Sequence, residues 1–372
     1  VKLTVSLKLL PSSAQVVALR QTLEAANAAA NAVSAVAWRE QTFSQFKLHK
    51  LTYAATRATT HLSAQVVVRV IAKAADAYKA DHTRQRRFAS LGSLAYDDRI
   101  LRYRTDEVSI WTVAGRQSIP FVCGQRQHAL LAQRQGESDL VYRDGTWFLY
   151  ATVNVIEEPP AEVSDVVGID LGIVNIATDS DGRVYSGAHL TGLRHRHRRL
   201  RQRLQRKGTR SARQLLRRRR RKERRFGTWV NHTLSARIVA EAQGTARGIA
   251  LEDLGHIRER VSARKSQRAT LHSWAFDQLR RFIAYKAQRV GVPVVYVDPR
   301  NTSRTCPACG LVDKRNRLSQ ARFVCVGCGL AGHADTIAAL NIRARGRGVC
   351  NASVRRGVGS RVEASSGKSC LL

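Results

Sequence analysis

The sequence predicts a multidomain α/β protein, in which a small β-barrel interrupted by helices precedes an α/β core carrying a four-cysteine metal site. Three observations predict it. Apolar periodicity is helical from about 12 to 80, turns into short alternating runs between Arg99 and Glu157, and then into apolar strands interleaved with helices. Pro159-Pro160 separates the second regime from the third. Two CxxC pairs, Cys306 with Cys309 and Cys325 with Cys328, lie near the end of the third.

Residues 2–9 alternate as a strand, and VKLTVSLKLL is too broken by polar residues to be the apolar stretch of a secretory signal. Pro11 ends that strand. Ser12 and Gln15 then stand at capping-box spacing, and Leu19, Leu23, Ala26, Ala30, Val33 and Ala37 recur every three or four residues, which predicts one long helix. A second helix is expected over 62–80 from Val66, Val70 and Ala74, running out into Arg84, Arg86 and Arg87. ILRYR, VSIWTV, SIPFVC, DLVYR and TWFLYATVNVI read as strands, with Asp144-Gly145 as the hairpin turn between the last two. The first strand belongs with these, so the barrel is expected over 1–10 and 91–160, with 11–90 as a helical insertion.

In the second half VVGIDLG is an apolar strand ending in an acid, and NIATDSDG and RVYSG are the next two strands, joined at Asp181-Gly182. A helical segment over 192–247 follows, very basic up to Arg225, with a thin apolar seam of Leu200, Leu204, Leu215 and Leu216. GIALEDL is a further strand, LHSWAFDQLRRFIAYKAQRV a helix, VPVVYVDP a strand and HADTIAALNIRAR the last helix. The α/β core is thus expected over 161–300 and 330–346, with the cysteine-bearing segment 301–329 set into it. Residues 347–372, rich in Gly, Arg and Ser, read as a disordered basic tail.

Lys and Arg number 63 against 28 Asp and Glu, a formal charge of +35 over 372 residues. A compact chain so charged repels itself unless a polyanion supplies the counter-charge. The excess runs through the whole chain and is mostly Arg, whose planar fork suits phosphate, so nucleic acid is the expected partner. The run from Arg194 to Arg225 is expected to line its channel, with Arg201, Arg203, Arg206, Lys207, Arg210, Arg217, Arg218 and Arg221 as phosphate contacts. Tyr96, Tyr103, Trp111 and Trp147 are candidates for stacking on bases, although barrel packing is the better use for the last two. No stretch approaches the roughly 18 apolar residues of a membrane span. Cys123, Cys350 and Cys370 are scattered, so the cysteines suggest no disulfide framework and a reducing, cytoplasmic setting is expected.

Cys306-x2-Cys309-x15-Cys325-x2-Cys328, with Gly310 and Gly329 after each pair, is the pattern of a closed tetrahedral site for one structural Zn2+. His333 is either a substitute ligand or, more simply, a solvated residue at a helix start. Three acids close unrelated elements: Asp170 in GIDLG, Glu252 in ALEDL and Asp335 in GHADT. If the fold gathers them, they repel one another unless hard divalent cations, Mg2+ or Mn2+, lie between. A pair of such ions about 3.5–4 Å apart is the usual device for phosphodiester cleavage. Strand parity alone leaves Glu252 and its neighbour Asp253 both open.

GIDLGIVNIATDSDG, then GIALEDL, then NTSRTCPACG…FVCVGCGLAGHADTIAALNI resembles the split RuvC-type, RNase H-like nuclease domain of the transposon-encoded TnpB family, relatives of the type V CRISPR effectors. The resemblance implies that Asp170, Glu252 and Asp335 are the catalytic ligands of two Mg2+ or Mn2+ ions, and that the ribbon between the last two acids is structural. It implies further that the barrel is the wedge region and the helical insertion the recognition region. The implied activity is cleavage of double-stranded DNA beside a short adjacent motif, directed by a structured guide RNA, in a prokaryotic, nucleoid-associated and most simply monomeric protein. A compact CRISPR effector using a crRNA and a guide-dependent repressor that binds without cutting are the alternatives; a conventional transposase fits less well. One departure stands out. The family has D-x-N-A-A-x-N around the third acid, and here Ile337 replaces the first Asn while Asn341 remains.

Overall fold

The computed structural model describes residues 1–172, 174–253, 276–319, 321–355 and 370–371. They fall into two compact units: Val1–Val155 with a C-terminal stretch, and Ile156–Glu363.

The first unit opens with β1 (Lys2–Leu9), in which Leu3, Val5, Leu7 and Leu9 are buried on one face. The helical insertion follows as α1 (Ser13–Arg39), α2 (Gln45–Thr59) and α3 (Ala64–Ala80). After it come β2 (Leu94–Tyr96), β3 (Leu101–Tyr103), β4 (Glu107–Thr112), β5 (Gly115–Val122), a short α4 (Gln125–Leu131), β6 (Arg134–Arg143) and β7 (Thr146–Asn154). These strands make one sheet in the order β2-β6-β7-β1-β5-β4-β3, curled into a nearly closed barrel. β1 lies antiparallel between β7 and β5, so the first strand and the later ones do share a barrel. Asp144 (φ 56°) and Gly145 (φ 79°) adopt the left-handed conformations that a two-residue hairpin turn demands.

The capping box at Ser12 and Gln15 is formed, and all six residues of the α1 stripe from Leu19 to Ala37 are buried. Asn27, fully buried within α1, donates to the carbonyls of Ser90 and Gly92 and accepts from the Lys73 ammonium of α3, which ties both helices to the strand entering the barrel. α2 has no counterpart in the sequence reading. Tyr96 is also a correction: it lies fully buried, its hydroxyl donating to the Trp111 carbonyl, so it is a core residue rather than a stacking surface. Trp147 is buried as expected.

The second unit is built on β8 (Val166–Asp170), β9 (Asn175–Asp179), β10 (Val184–Ser186), β11 (Gly248–Glu252) and β12 (Val294–Val297), in the order β10-β9-β8-β11-β12. β8, β11 and β12 are parallel and the other two antiparallel, a mixed α/β sheet. Its helices are α5 (Ala188–Lys207), α6 (Arg210–Gly244), α7 (Phe276–Arg289) and α8 (Ala334–Arg355). The C-terminal half of α6, with α7, packs on Val167, Ile169, Ile249 and Leu251. α8 packs through Ile342 on Val166 and Ala250, which have the opposite strand parity. The ribbon contributes β13 (Arg322–Val324) and β14 (Ala331–His333), paired antiparallel.

Two boundaries differ from expectation. The basic helical segment is two helices, broken at Gly208 (φ 61°), with Thr209 capping the second through the Ala212 N–H. Leu215 is 40% exposed and leaves the expected apolar seam. The final helix continues to Arg355, so the stretch assigned to a disordered tail from 347 begins as helix. Cys370–Leu371 forms a two-residue strand, β15, beside β1, while 356–369 and 372 lie outside the described residues, as does the start of the helix expected from 271.

Candidate active site and metal centre

β8 and β11 are parallel neighbours in register through Ile169 and Leu251, so the next residues, Asp170 and Glu252, emerge at the same end of the sheet. Both have the parity of Val166, Gly168 and Ala250 and therefore face α8, whose first turn carries Asp335. This parity also settles the ambiguity at the strand end: Asp253 points the other way, exposed, where Arg280 binds it at 3.0 Å.

The Asp170 carboxyl feels the other two. Burial, then the charges of Glu252 and Asp335, push the Asp170 carboxyl up to about 8, against the opposing charge of Arg317. Burial also raises Glu252, offset by the Thr302 hydroxyl and by Arg345 and Arg317. Two of the acids, Glu252 and Asp335, are held in place by neighbours. The Thr302 hydroxyl, 4% exposed, donates to Glu252 Oε1 at 2.6 Å. Asn175 Nδ2 donates to Asp335 Oδ2 at 3.0 Å, and the Arg317 guanidinium stands 3.7 Å from Asp335 Oδ1. Thr302, Asn175 and Arg317 were not foreseen from the sequence. Carboxylate oxygens, two of them on acids raised by burial, are the donor type that suits a hard divalent cation.

Asn341 donates to the carbonyls of Thr302 (2.7 Å) and Thr305 (2.8 Å), which ties α8 to the loop that holds Glu252. Ile337, the departure from the family pattern, is 5% exposed and packs with Phe323, Cys306, Cys325 and Ala334 at the foot of the ribbon. It fills an apolar joint.

The four thiols gather within 4.8 Å of one another, with Cys306–Cys328 and Cys309–Cys325 sulfurs both 3.5 Å apart. A tetrahedron of thiolates about 2.3 Å from a zinc-like ion has edges of about 3.8 Å, so the set fits such an ion. The knuckles repeat one design. Gly310 (φ 77°) and Gly329 (φ 75°) turn the chain back, their N–H groups donating to the carbonyls of Cys306 and Cys325. The N–H groups of Cys328 and Gly327 pull the Cys325 thiol down to about 6, while Cys328, despite the Leu330 N–H, is pushed up to about 12 by its sulfur neighbours. Among the described residues this is the one group of His, Cys, Asp or Glu ligand atoms gathered closely enough to hold a metal ion, and the three carboxylates are not part of such a group. His333 is exposed and is not part of it, its Nδ1 instead accepting the Asp335 N–H at 3.3 Å. The ribbon's apolar core is too small to hold it folded alone. Chelation, or Cys325→Ser, is therefore expected to open 301–329 to limited proteolysis while the rest of the chain stays resistant, with about one equivalent of metal released.

All eight predicted phosphate contacts are exposed on α5 and α6. Arg203 and Arg206 line, with Arg196, Arg199 and Arg219, a groove of about 850 Å³ between the two helices, and Arg201 pairs with Glu223 at 3.7 Å. No helix among the described residues is long and apolar enough to cross a membrane.

Comparison with known proteins agrees with this anatomy. Residues 276–342 match the Cas12f1-like TNB domain family, and residues 144–254 a family described as probable transposase. Cas12f1 of Sulfoacidibacillus thermotolerans is 39% identical over 118 residues, 32% of this chain and 26% of its own length. A TnpB-like protein of Methanocaldococcus jannaschii is 38% identical over 112 residues, 30% of this chain and 40% of its own. InsQ of Escherichia coli K12, a putative RNA-guided DNA endonuclease, is 27% identical over 241 residues, 57% of this chain and 58% of its own. The matches thus span from about a quarter to somewhat over half of these relatives. The solved Cas12f1–sgRNA–target DNA complex superimposes with a TM-score of 0.60 over 88% of this chain and 83% of that one, at 14% identity, a likeness of fold. With its RuvC-like core and inserted ribbon, the chain is similar, over part of its length, to Cas12f1 and TnpB-like proteins.

Proposed function

We propose that the chain is an RNA-guided DNA endonuclease in which Asp170, Glu252 and Asp335 hold Mg2+ or Mn2+ at the cutting site and the four cysteines hold one Zn2+. The observation that carries this reading is a carboxyl, Asp170, kept from ionising by burial and two further acids brought from separate elements. When bound, the divalent ions supply Lewis acidity and a water acidic enough to attack phosphorus near neutral pH. The chain's own groups do the positioning. Thr302 fixes Glu252, Asn175 fixes Asp335, and Asn341 keeps the Thr302 loop on α8. Arg317, 3.7 Å from Asp335 Oδ1, would offer its guanidinium to a phosphate bound at the acids. The eight basic residues of α5 and α6 grip the backbone without reading sequence, which is left to base pairing of a structured guide RNA. The barrel then serves as the wedge, α1 to α3 as the recognition insertion and the second unit as the nuclease, acting in a prokaryotic cytoplasm on double-stranded DNA beside a short adjacent motif.

The test is to purify the chain with the RNA that accompanies it and to incubate the particle with DNA matched to that RNA. Cleavage that requires Mg2+ or Mn2+ and stops with EDTA is expected. Tight, guide-dependent binding with no cleavage over hours would overturn the reading in favour of a repressor.

A further inference from the structure

The middle of α6 carries a feature that metal chemistry leaves unused and that extends its phosphate-gripping face beyond Arg218. Trp229 is 61% exposed, in the middle of a helix whose other large apolar side chains mostly face the core. At 100° per residue, positions 218, 222, 225 and 229 fall within about 60° of one another. Arg218, Lys222 and Arg225 therefore form a single stripe of exposed cations, about 16 Å long, that ends at the indole. Among the described residues none of these three has an acidic partner; Glu223, beside them in sequence, is taken by His197 and Arg201. The indole does not hang free. Phe226, partly buried on the sheet, stacks beside it with centroids 6.0 Å apart and planes 27° apart, so the ring is braced before any ligand arrives.

Exposing an indole to water has a cost that a stacked base would remove, and a row of cations beside it attracts a polyanion. Together they make the elements of a single-strand site: a track for the phosphates and a platform for a base. A duplex would use the track alone, because its bases are already stacked. The stripe lies on the helix whose other half, from Leu234 to Ala242, packs on the strands that end in Asp170 and Glu252. We propose that Arg218, Lys222, Arg225 and Trp229 form a binding site for unpaired DNA, with Trp229 stacking on a base of the strand. The proposal takes nucleic acid as partner from the reading above but does not need cleavage, so it is tested by binding alone.

The full chain is titrated with a fluorescein-labelled 15-mer of oligo(dT), a 15-base-pair duplex and a 15-mer of oligo(U). Trp229→Ala is expected to weaken oligo(dT) binding by about 5- to 100-fold, the range of one lost base–aromatic stack, and duplex binding by less than twofold. Trp229→Phe keeps most of the affinity. Replacing Arg218, Lys222 and Arg225 by Gln weakens both DNAs and flattens the salt dependence for single strands by about two units of slope. As a check independent of the Ala variant's folding, unlabelled oligo(dT) should quench a part of the parent's tryptophan fluorescence that is absent in Trp229→Phe. Equal losses for single strand and duplex, an unchanged oligo(dT) affinity, a loss confined to oligo(U), or quenching identical in parent and Trp229→Phe would each overturn the proposal.

Discussion

Asp170→Asn is expected to abolish cleavage and, in the absence of divalent cations, to make the protein more stable above neutral pH. If Asp170 holds the reacting metal as proposed, the loss of activity should reach at least about a thousandfold, since such a ligand contributes several kcal/mol and each 1.4 kcal/mol is about tenfold. The gain in stability follows from linkage. In the folded chain the Asp170 carboxyl titrates at about 8, well above the ordinary 3.8 that the unfolded chain retains. Between those values the folded state holds a proton that the unfolded state has released, so the parent loses stability as pH rises from about 4 to 8. Below about 4 both states are protonated and the penalty is absent. At about 1.4 kcal/mol per unit, the burden is at most a few kcal/mol at pH 8. Glu252 is raised as well and acts in the same direction. Asn carries no charge at any pH, so the variant escapes that part of the burden. Thermal unfolding at pH 5 and pH 8, with EDTA or with Mn2+, measures it: the two proteins should differ little at pH 5 and most at pH 8 in EDTA. Mn2+ should then raise the parent more than the variant. A parent whose melting temperature in EDTA does not fall between pH 5 and pH 8 would remove the basis for a strained carboxylate cluster.

Much of this site was legible because its residues close regular elements. Asp170 and Glu252 end apolar strands and Asp335 begins a helix, so each acid had a place in a pattern before any coordinates were known. Glu252 against Asp253 was not legible. Both faces of the central strands are covered, one by α8 and the other by α6 and α7, so the sequence GIALED shows apolar residues of either parity. Only the pairing of Ala250 with α8 says which face the acids share. Thr302, Asn175 and Arg317 were illegible for a different reason. They sit in a loop, at a strand start and between the cysteine knuckles, where no periodicity marks them, and they meet the acids only once the chain is folded.

The fold shows the same division. α1 was readable from its capping box and six-residue stripe. α2 was not, because its buried side is Leu48, Thr52 and Thr56, two threonines where a helix stripe normally shows aliphatics. The Thr52 hydroxyl turns inward to the Leu48 carbonyl at 2.7 Å, so a residue that looks polar in the sequence is satisfied within its own helix and can be buried. The break at Gly208 was hidden by arginines on both sides, which present the same charge whether the helix continues or turns. Ile337 departs from the family pattern beside the third acid, and the three-dimensional surroundings make it part of the ribbon's apolar joint.

Gly168→Ala is expected to damage the site from a position that touches no ligand. A Cβ built on Gly168 would stand 2.1 Å from the Ala339 carbonyl oxygen and 2.5 Å from the Arg343 nitrogen, both backbone atoms of α8. Neither can rotate away as a side-chain tip would, so the helix must move outward by more than an ångström to reach ordinary contact. Asp335 is in the first turn of that helix and Asp170 lies two residues along the strand from the glycine, so the displacement opens the space between the two acids. Overpacking costs typically about 1–3 kcal/mol, and a rigid backbone neighbour puts this case at the upper end. A misplacement of about 1 Å at a reacting centre costs about a hundredfold in rate, so cleavage should fall far more than the folded fraction does. Gly346→Ala separates the two effects. Its Cβ would meet Ala250 Cβ at 2.5 Å and Val166 Cγ2 at 2.9 Å, so it also crowds the joint between α8 and the sheet, but about 16 Å along the helix from Asp335. The two variants should lose comparable stability, while Mn2+ affinity and cleavage fall steeply only in Gly168→Ala. Equal activity in the two at matched folded fraction would mean that α8 does not set the distance between the acids.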